Sequence, residues 1–138
     1  MDILVLLGRI LFAALFLPAA VSHFTNTDTM AGYVQSRGVP AARAAVLGSG
    51  VLLLLGGLSV LLGIWPDLGA LLLTVFLIPT ALLMHSFWKE TDPQAKQMEQ
   101  IQFSKDIGLA GASLALLALF VQMGDQLGLV ITSPFFAS

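Results

Sequence analysis

Residues 42–86 read ARAAVLGSGVLLLLGGLSVLLGIWPDLGALLLTVFLIPTALLMHS. Two apolar runs, 42–64 and 68–86, are joined by Trp65-Pro66-Asp67, and Arg43 and Asp67 are the only formal charges in the stretch. Each run is close to the ~20 residues that a helix needs to cross ~30 Å of hydrocarbon at 1.5 Å per residue. Backbone groups in lipid must be paired within their own segment, so runs of this length and composition are helices. A proline suits the first turn of a helix, where its missing N–H would have had no partner. The stretch reads as a tight hairpin of two membrane helices.

Working outward, residues 3–22 and 106–123 are apolar runs of the same kind. The expected fold is an all-α membrane protein, a four-transmembrane-helix bundle formed as a single domain over residues 1–138. Composition agrees: 57% of the 138 residues are hydrophobic and 10% charged, with a mean hydropathy of +0.92. That is too little charge to cover a soluble domain. The N-terminus carries Asp2 where a signal peptide has a basic residue, and Arg9 interrupts its apolar run. It is therefore expected to be a retained first span. No basic stripe points to nucleic acid. The chain has no cysteine, which excludes dithiol chemistry, thiolate metal sites and covalent c-type haem attachment by this chain. No metal site is expected.

The connections differ in character. Within 23–41, Thr25 to Thr27 offer N-caps, Met30, Tyr33 and Val34 share a face, Gly38 suits a helix end and Pro40 starts the next helix. A short amphipathic helix lying in the interface is expected there. In 87–105, Asp92 and Pro93 read as N-cap and first helical residue of a helix running into the fourth span. The tail, 127–138, is apolar but too short to cross, and is expected on the surface or loose. Arg37, Arg43, Lys89, Lys96 and Lys105 all fall in or beside the first and third connections. The remaining basic residue is Arg9. By the positive-inside rule both long connections, 23–41 and 87–105, face the cytoplasm and both termini face out. A bacterial inner membrane is the expected location.

This topology gathers titratable groups. The first span ends at His23, the third at His85, and the fourth begins at Lys105-Asp106, so these four should share one depth. FLPAAVSHF (16–24) and FLIPTALLMHSF (76–87) resemble each other, and Pro18 and Pro79 should each free a carbonyl one turn back and kink their helices. Three readings of His85 and Trp88 stand open. One is an interfacial belt. Another is a quinone or proton site in which His85, His23 and Asp106 line a pocket walled by Phe87 and Trp88. The third is a haem held by the two histidines, for which nothing else marks a pocket. Arg9 lies about 10 Å inside the opposite face by helix rise. It either snorkels, or meets a buried partner among Gln122, Asp125 and Asp67, an anion or a quinone carbonyl, or packs on backbone carbonyls. Small residues four apart, Ser59 with Gly63, Gly108 with Ala112 and Gly111 with Ala115, suit close packing inside the bundle or a homo-oligomer contact.

The segments GRILFAALFLPAAVSHF, RGVP, GGLSVLLG, HSFW and FSKDIGLAGASL, in that order over roughly residues 7–118, resemble the DoxX family of small bacterial four-helix membrane proteins. Gly8-Arg9, Gly38-Val39-Pro40, Gly56-Gly57, Gly63, Thr80, His85, Phe87-Trp88 and Lys105 carry the match. Three positions depart from it. Leu53 stands where members often have Glu, and if that Glu pairs with the first-helix arginine, Arg9 has lost its partner. Asp106 stands where many have Asn, and His23 replaces a basic residue at the end of the first helix. The resemblance implies a membrane subunit of a quinone-linked oxidoreductase or of a redox or oxidative-stress complex, with quinone as cofactor and protein partners in the membrane. Whether the chain is itself an enzyme is left open. The alternatives are a non-catalytic anchor or assembly partner, docking through Met98, Ile101 and Phe103, and a small-solute or lipid-handling protein.

Overall fold

A computed structural model describes residues 1–137. Its long helices are α1 (Asp2–Thr25), α2 (Thr27–Ser36), α3 (Ala42–Leu62), α4 (Pro66–Met84) and α5 (Pro93–Met123), with 3-10 turns at Phe87–Lys89 and Gly124–Gln126. Four of them, α1, α3, α4 and α5, are long and apolar enough to cross a membrane. The chain is an all-α membrane bundle. The first span extends past its expected limits, the second ends two residues early at Leu62, and the third starts two residues earlier, because Pro66 is the first residue of α4. Pro18 and Pro79 both lie inside helices that continue past them. Helix α2 forms where a short amphipathic helix was expected, and Asn26, within the expected Thr25 to Thr27 stretch, takes its N-cap position, without a side-chain hydrogen bond. Asp92 does cap α5, accepting from the Ala95 amide at 2.9 Å, and α5 runs unbroken from the polar connection into the fourth span.

Packing follows the chain. Helix α1 packs on α3, α3 on α4 and α4 on α5, with α2 laid across the end of α3. The core is built from Phe16, Leu53, Val60, Leu73, Leu77 and Phe120. Glycines set the closest approaches: a Cβ at Gly56 would strike Leu73 of α4, and one at Gly57 would strike Leu17 of α1. Gly108 and Gly111 differ, since nothing lies within 4 Å of where their Cβ atoms would be. The small-residue pairs of α5 therefore face outward and do not pack inside the bundle.

Over residues 127–137 the tail is not loose; it lies on the surface at one end of the bundle, with Leu129, Ile131, Phe135 and Phe136 about half exposed or more, and is anchored there. Leu127 is buried in the core, and the amides of Ile131 and Thr132 both donate to the Gly63 carbonyl. Fully buried Asp67 accepts from the amides of Phe135 and Phe136, each at 2.6 Å. The same end of the bundle holds Arg9, which is also fully buried. Its Nε donates to Val60 O at 2.8 Å, Nη2 to Leu61 O at 2.9 Å and Nη1 to Leu129 O at 2.9 Å. Of the readings open for Arg9, the structure selects backbone carbonyls; it neither snorkels nor pairs with Gln122, Asp125 or Asp67. The physical reason is local. The last four carbonyls of a helix have no intrahelical partner, and that end carries the negative pole of its dipole. Val60 and Leu61 sit in the last turn of α3.

Candidate functional site

At the other end of the bundle lies a cavity of about 500 Å³. Helix α1 contributes Leu15, Phe16, Ala19 and His23, while α3 contributes Val46, Ser49 and Leu53. Helix α4 supplies Phe76, Pro79, Thr80 and Leu83. His85, Lys105 and Asp106 line the polar end, and Tyr33 and Met30 of α2 close over it. The walls are mostly aliphatic and aromatic, with a few polar groups converging at one end, which is the usual build of a small-ligand site.

His23 is oriented by α3. Its Nδ1 lies 3.0 Å from both Val46 O and Ser49 Oγ. A carbonyl can only accept, so the contact with Val46 O needs the proton on Nδ1, and in the neutral ring that leaves Nε2 as the acceptor. No protein partner meets Nε2 among the described residues. The ring also stands edge-on to Phe76, with centroids 6.2 Å apart.

His85 follows directly on the last residue of α4 and sits between two carboxylates of α5. Its Nδ1 is 2.7 Å from Glu99 and its Nε2 is 3.6 Å from Asp106. Glu99 also accepts from Tyr33 Oη at 3.0 Å and pairs with Arg37 at 3.0 Å. Arg37 donates in addition to Glu90 at 2.8 Å and to the Tyr33 hydroxyl at 3.0 Å. Charge-assisted contacts thus run from Glu90 through Arg37 and Glu99 to His85, and Asp106 at the cavity wall stands 3.6 Å from His85 Nε2, beyond hydrogen-bond reach. Burial holds the Tyr33 phenol above its ordinary pKa of 10.0; its bond to Glu99 acts the same way and its bond from Arg37 opposes it.

The structure brings His23, His85, Lys105 and Asp106 around one cavity, as the shared depth suggested. Phe87 and Trp88 are not among the residues lining it. They form an aromatic cluster with Phe103, with centroids 5.2 to 5.7 Å apart, because the 3-10 turn at Phe87–Lys89 carries them over the outer side of α5. Arg9 belongs to the opposite end. Leu53 lines the cavity. It lies seven residues before Val60, roughly 10 Å along α3, so a glutamate there would face the cavity and not Arg9. Sequence reading missed Glu99 and Tyr33. Glu99 stands seven residues, two helical turns, before Asp106 on a helix already expected from Pro93, which places both on one face. That spacing was the available signal.

The family model of DoxX matches residues 4–86. The chain belongs to the DoxX family. The DoxX match spans α1 to α4 and both histidines, while Glu99, Lys105 and Asp106 lie beyond it on α5. No curated protein and no solved structure matches the chain. With its four apolar spans, this DoxX protein is a multi-pass membrane protein.

Proposed function

We propose that this DoxX protein is a membrane subunit of a quinone-linked oxidoreductase and that the cavity holds the quinone ring. The observation that carries the proposal is the convergence of both histidines of the chain on one apolar cavity of about 500 Å³, within the ~300–1,000 Å³ of small-molecule sites. A bound quinone would supply coupled electron and proton transfer, its electrons exchanged with a partner protein of the complex. His23 Nε2 accepts a hydrogen bond, and then the proton, from a ring hydroxyl. Asp106 and His85 hold a proton at the cavity wall, and Glu99 connects them to the polar end of the bundle. Phe16, Leu53, Phe76 and Leu77 exclude water from the ring. The positive-inside pattern supports a cytoplasmic orientation of this end, in an inner membrane.

The test is an equilibrium titration of the purified protein in nanodiscs with a short-tailed benzoquinone. Saturable binding that weakens about tenfold or more in His23→Ala and in His85→Ala supports the reading. Absence of saturable binding to the wild type contradicts it.

A second reading, an assembly partner, has its own observation. Met98 and Ile101 are 57% and 56% exposed on the polar extension of α5, whereas Phe103 is taken up by the aromatic cluster. Loss of complex recovery in Met98→Glu and Ile101→Glu, with quinone binding unchanged, would favour it.

A further inference from the structure

The cavity is closed unevenly. Among the described residues, α1 packs closely along α3 but along neither α4 nor α5. Across that gap α1 and α4 meet through side chains, with the edge of Phe76 on His23. Three residues both line the cavity and remain exposed on its apolar side: Leu15 of α1, 45% exposed, and Pro79 and Leu83 of α4, the latter 53% exposed. Leu15 precedes His23 by eight residues, about 12 Å of helix, and Pro79 precedes His85 by six, about 9 Å, while Leu83, only two residues or about 3 Å before His85, marks the polar edge of the opening. In a hydrocarbon layer ~30 Å thick, an opening that far inside the interface meets acyl chains, not water or headgroups. The titratable groups, His23, His85, Lys105 and Asp106, are gathered at the other end of the cavity, where α2 lies across it and is tied down through Tyr33 and Arg37.

We propose that the gap between α1 and α4, rimmed by Leu15, Pro79 and Leu83, is a lateral portal through which a membrane-borne quinone enters from the bilayer and through which its long apolar tail projects while bound. This rests on the quinone reading of the cavity and adds the class of ligand and its route. The ligand is amphipathic, with a ring that hydrogen-bonds at His23 and the His85–Asp106 pair and a tail continuous with lipid. A ring without a tail fits the same cavity but does not use the portal.

The distinguishing experiment uses full-length protein in nanodiscs and two probes with the same dimethoxy-methyl-benzoquinone ring, one without a tail and one with a decyl tail. In Leu15→Trp and Leu83→Trp, the indole fills the rim. The tailed probe is expected to lose about tenfold or more in affinity in these variants beyond any loss shown by the tailless ring, whose cavity the same two side chains line, and an unchanged Tm shows that the variants are folded. Equal loss for both probes, or none for either, would overturn the portal and leave the ring site standing. Failure of both probes to bind wild type would overturn the quinone reading, and the portal with it. A tailed quinone carrying a terminal diazirine gives a readout without substitution. Cross-links around Leu15 or residues 79–83 support the portal; cross-links confined to α2 or to 99–105 overturn it.

Discussion

Arg9 and Asp67 are opposite charges buried at one end of the bundle, yet each is satisfied by backbone and not by the other. The sequence placed Arg9 at its depth, and its partners could not be read there. Two are end-of-helix carbonyls of α3, and the third belongs to Leu129, which lies 120 residues away along the chain. A hydrogen bond to a charged group contributes about 1.5–3 kcal/mol, and truncation leaves three carbonyls short of a donor. Arg9→Ala should therefore destabilise the bundle by at least about 3 kcal/mol. Thermal unfolding in detergent should show a clear fall in Tm together with faster proteolysis of residues 127–137; an unchanged Tm would contradict the capping role. His23 and His85 were legible as residues of common depth because each ends a span running in the same direction. Their partners were less so: Val46 and Ser49 are chosen by how α3 packs on α1, which no local pattern encodes.

At the scale of elements, the four spans and α2 were readable because each rests on a local signal, either a run of apolar residues or a cap. The tail's anchoring was not readable because its anchors, Gly63 O and the Asp67 carboxylate, become available only once α3 and α4 form their hairpin. Helix α2 is held by Tyr33 and Arg37, and this tie has a pH signature. Tyr33 is the only tyrosine, so phenolate absorbance reports it alone. Its pKa is raised above 10.0 chiefly by burial. The stabilisation of the docked helix is then fully present below that ordinary value and is lost as pH rises through the shifted one. Titration should show a midpoint on the alkaline side of 10.0, moving down towards that ordinary value when α5 residues 93–105 are proteolytically released. A midpoint at or below 10.0 in the intact protein would mean that the phenol is not buried against α5.

For the whole molecule, polarity sorts by end. The buried Arg9, Asp67 and the folded-back tail close one end, while His23, His85, Asp106 and the remaining basic residues gather at the other. Because the chain has no cysteine, single cysteines can report its orientation without background. Lys96→Cys should react with a membrane-impermeant maleimide only after the cells are permeabilised, and Ser133→Cys should react in intact cells. The reverse pattern would put the cavity's polar end outside. Family membership was legible from short segments in order, whereas the cavity itself was not, since it exists only where α1 diverges from α4 and α5.

The most direct test of the central claim is to purify the protein in mild detergent from membranes containing quinone and to quantify extracted quinone per mole of protein by mass spectrometry. Wild type should carry quinone at a substantial fraction of one equivalent, and His23→Ala combined with His85→Ala should carry only the level of a control membrane protein. Phospholipid alone in the wild type, or equal quinone in wild type and double variant, would contradict a quinone site at the two histidines.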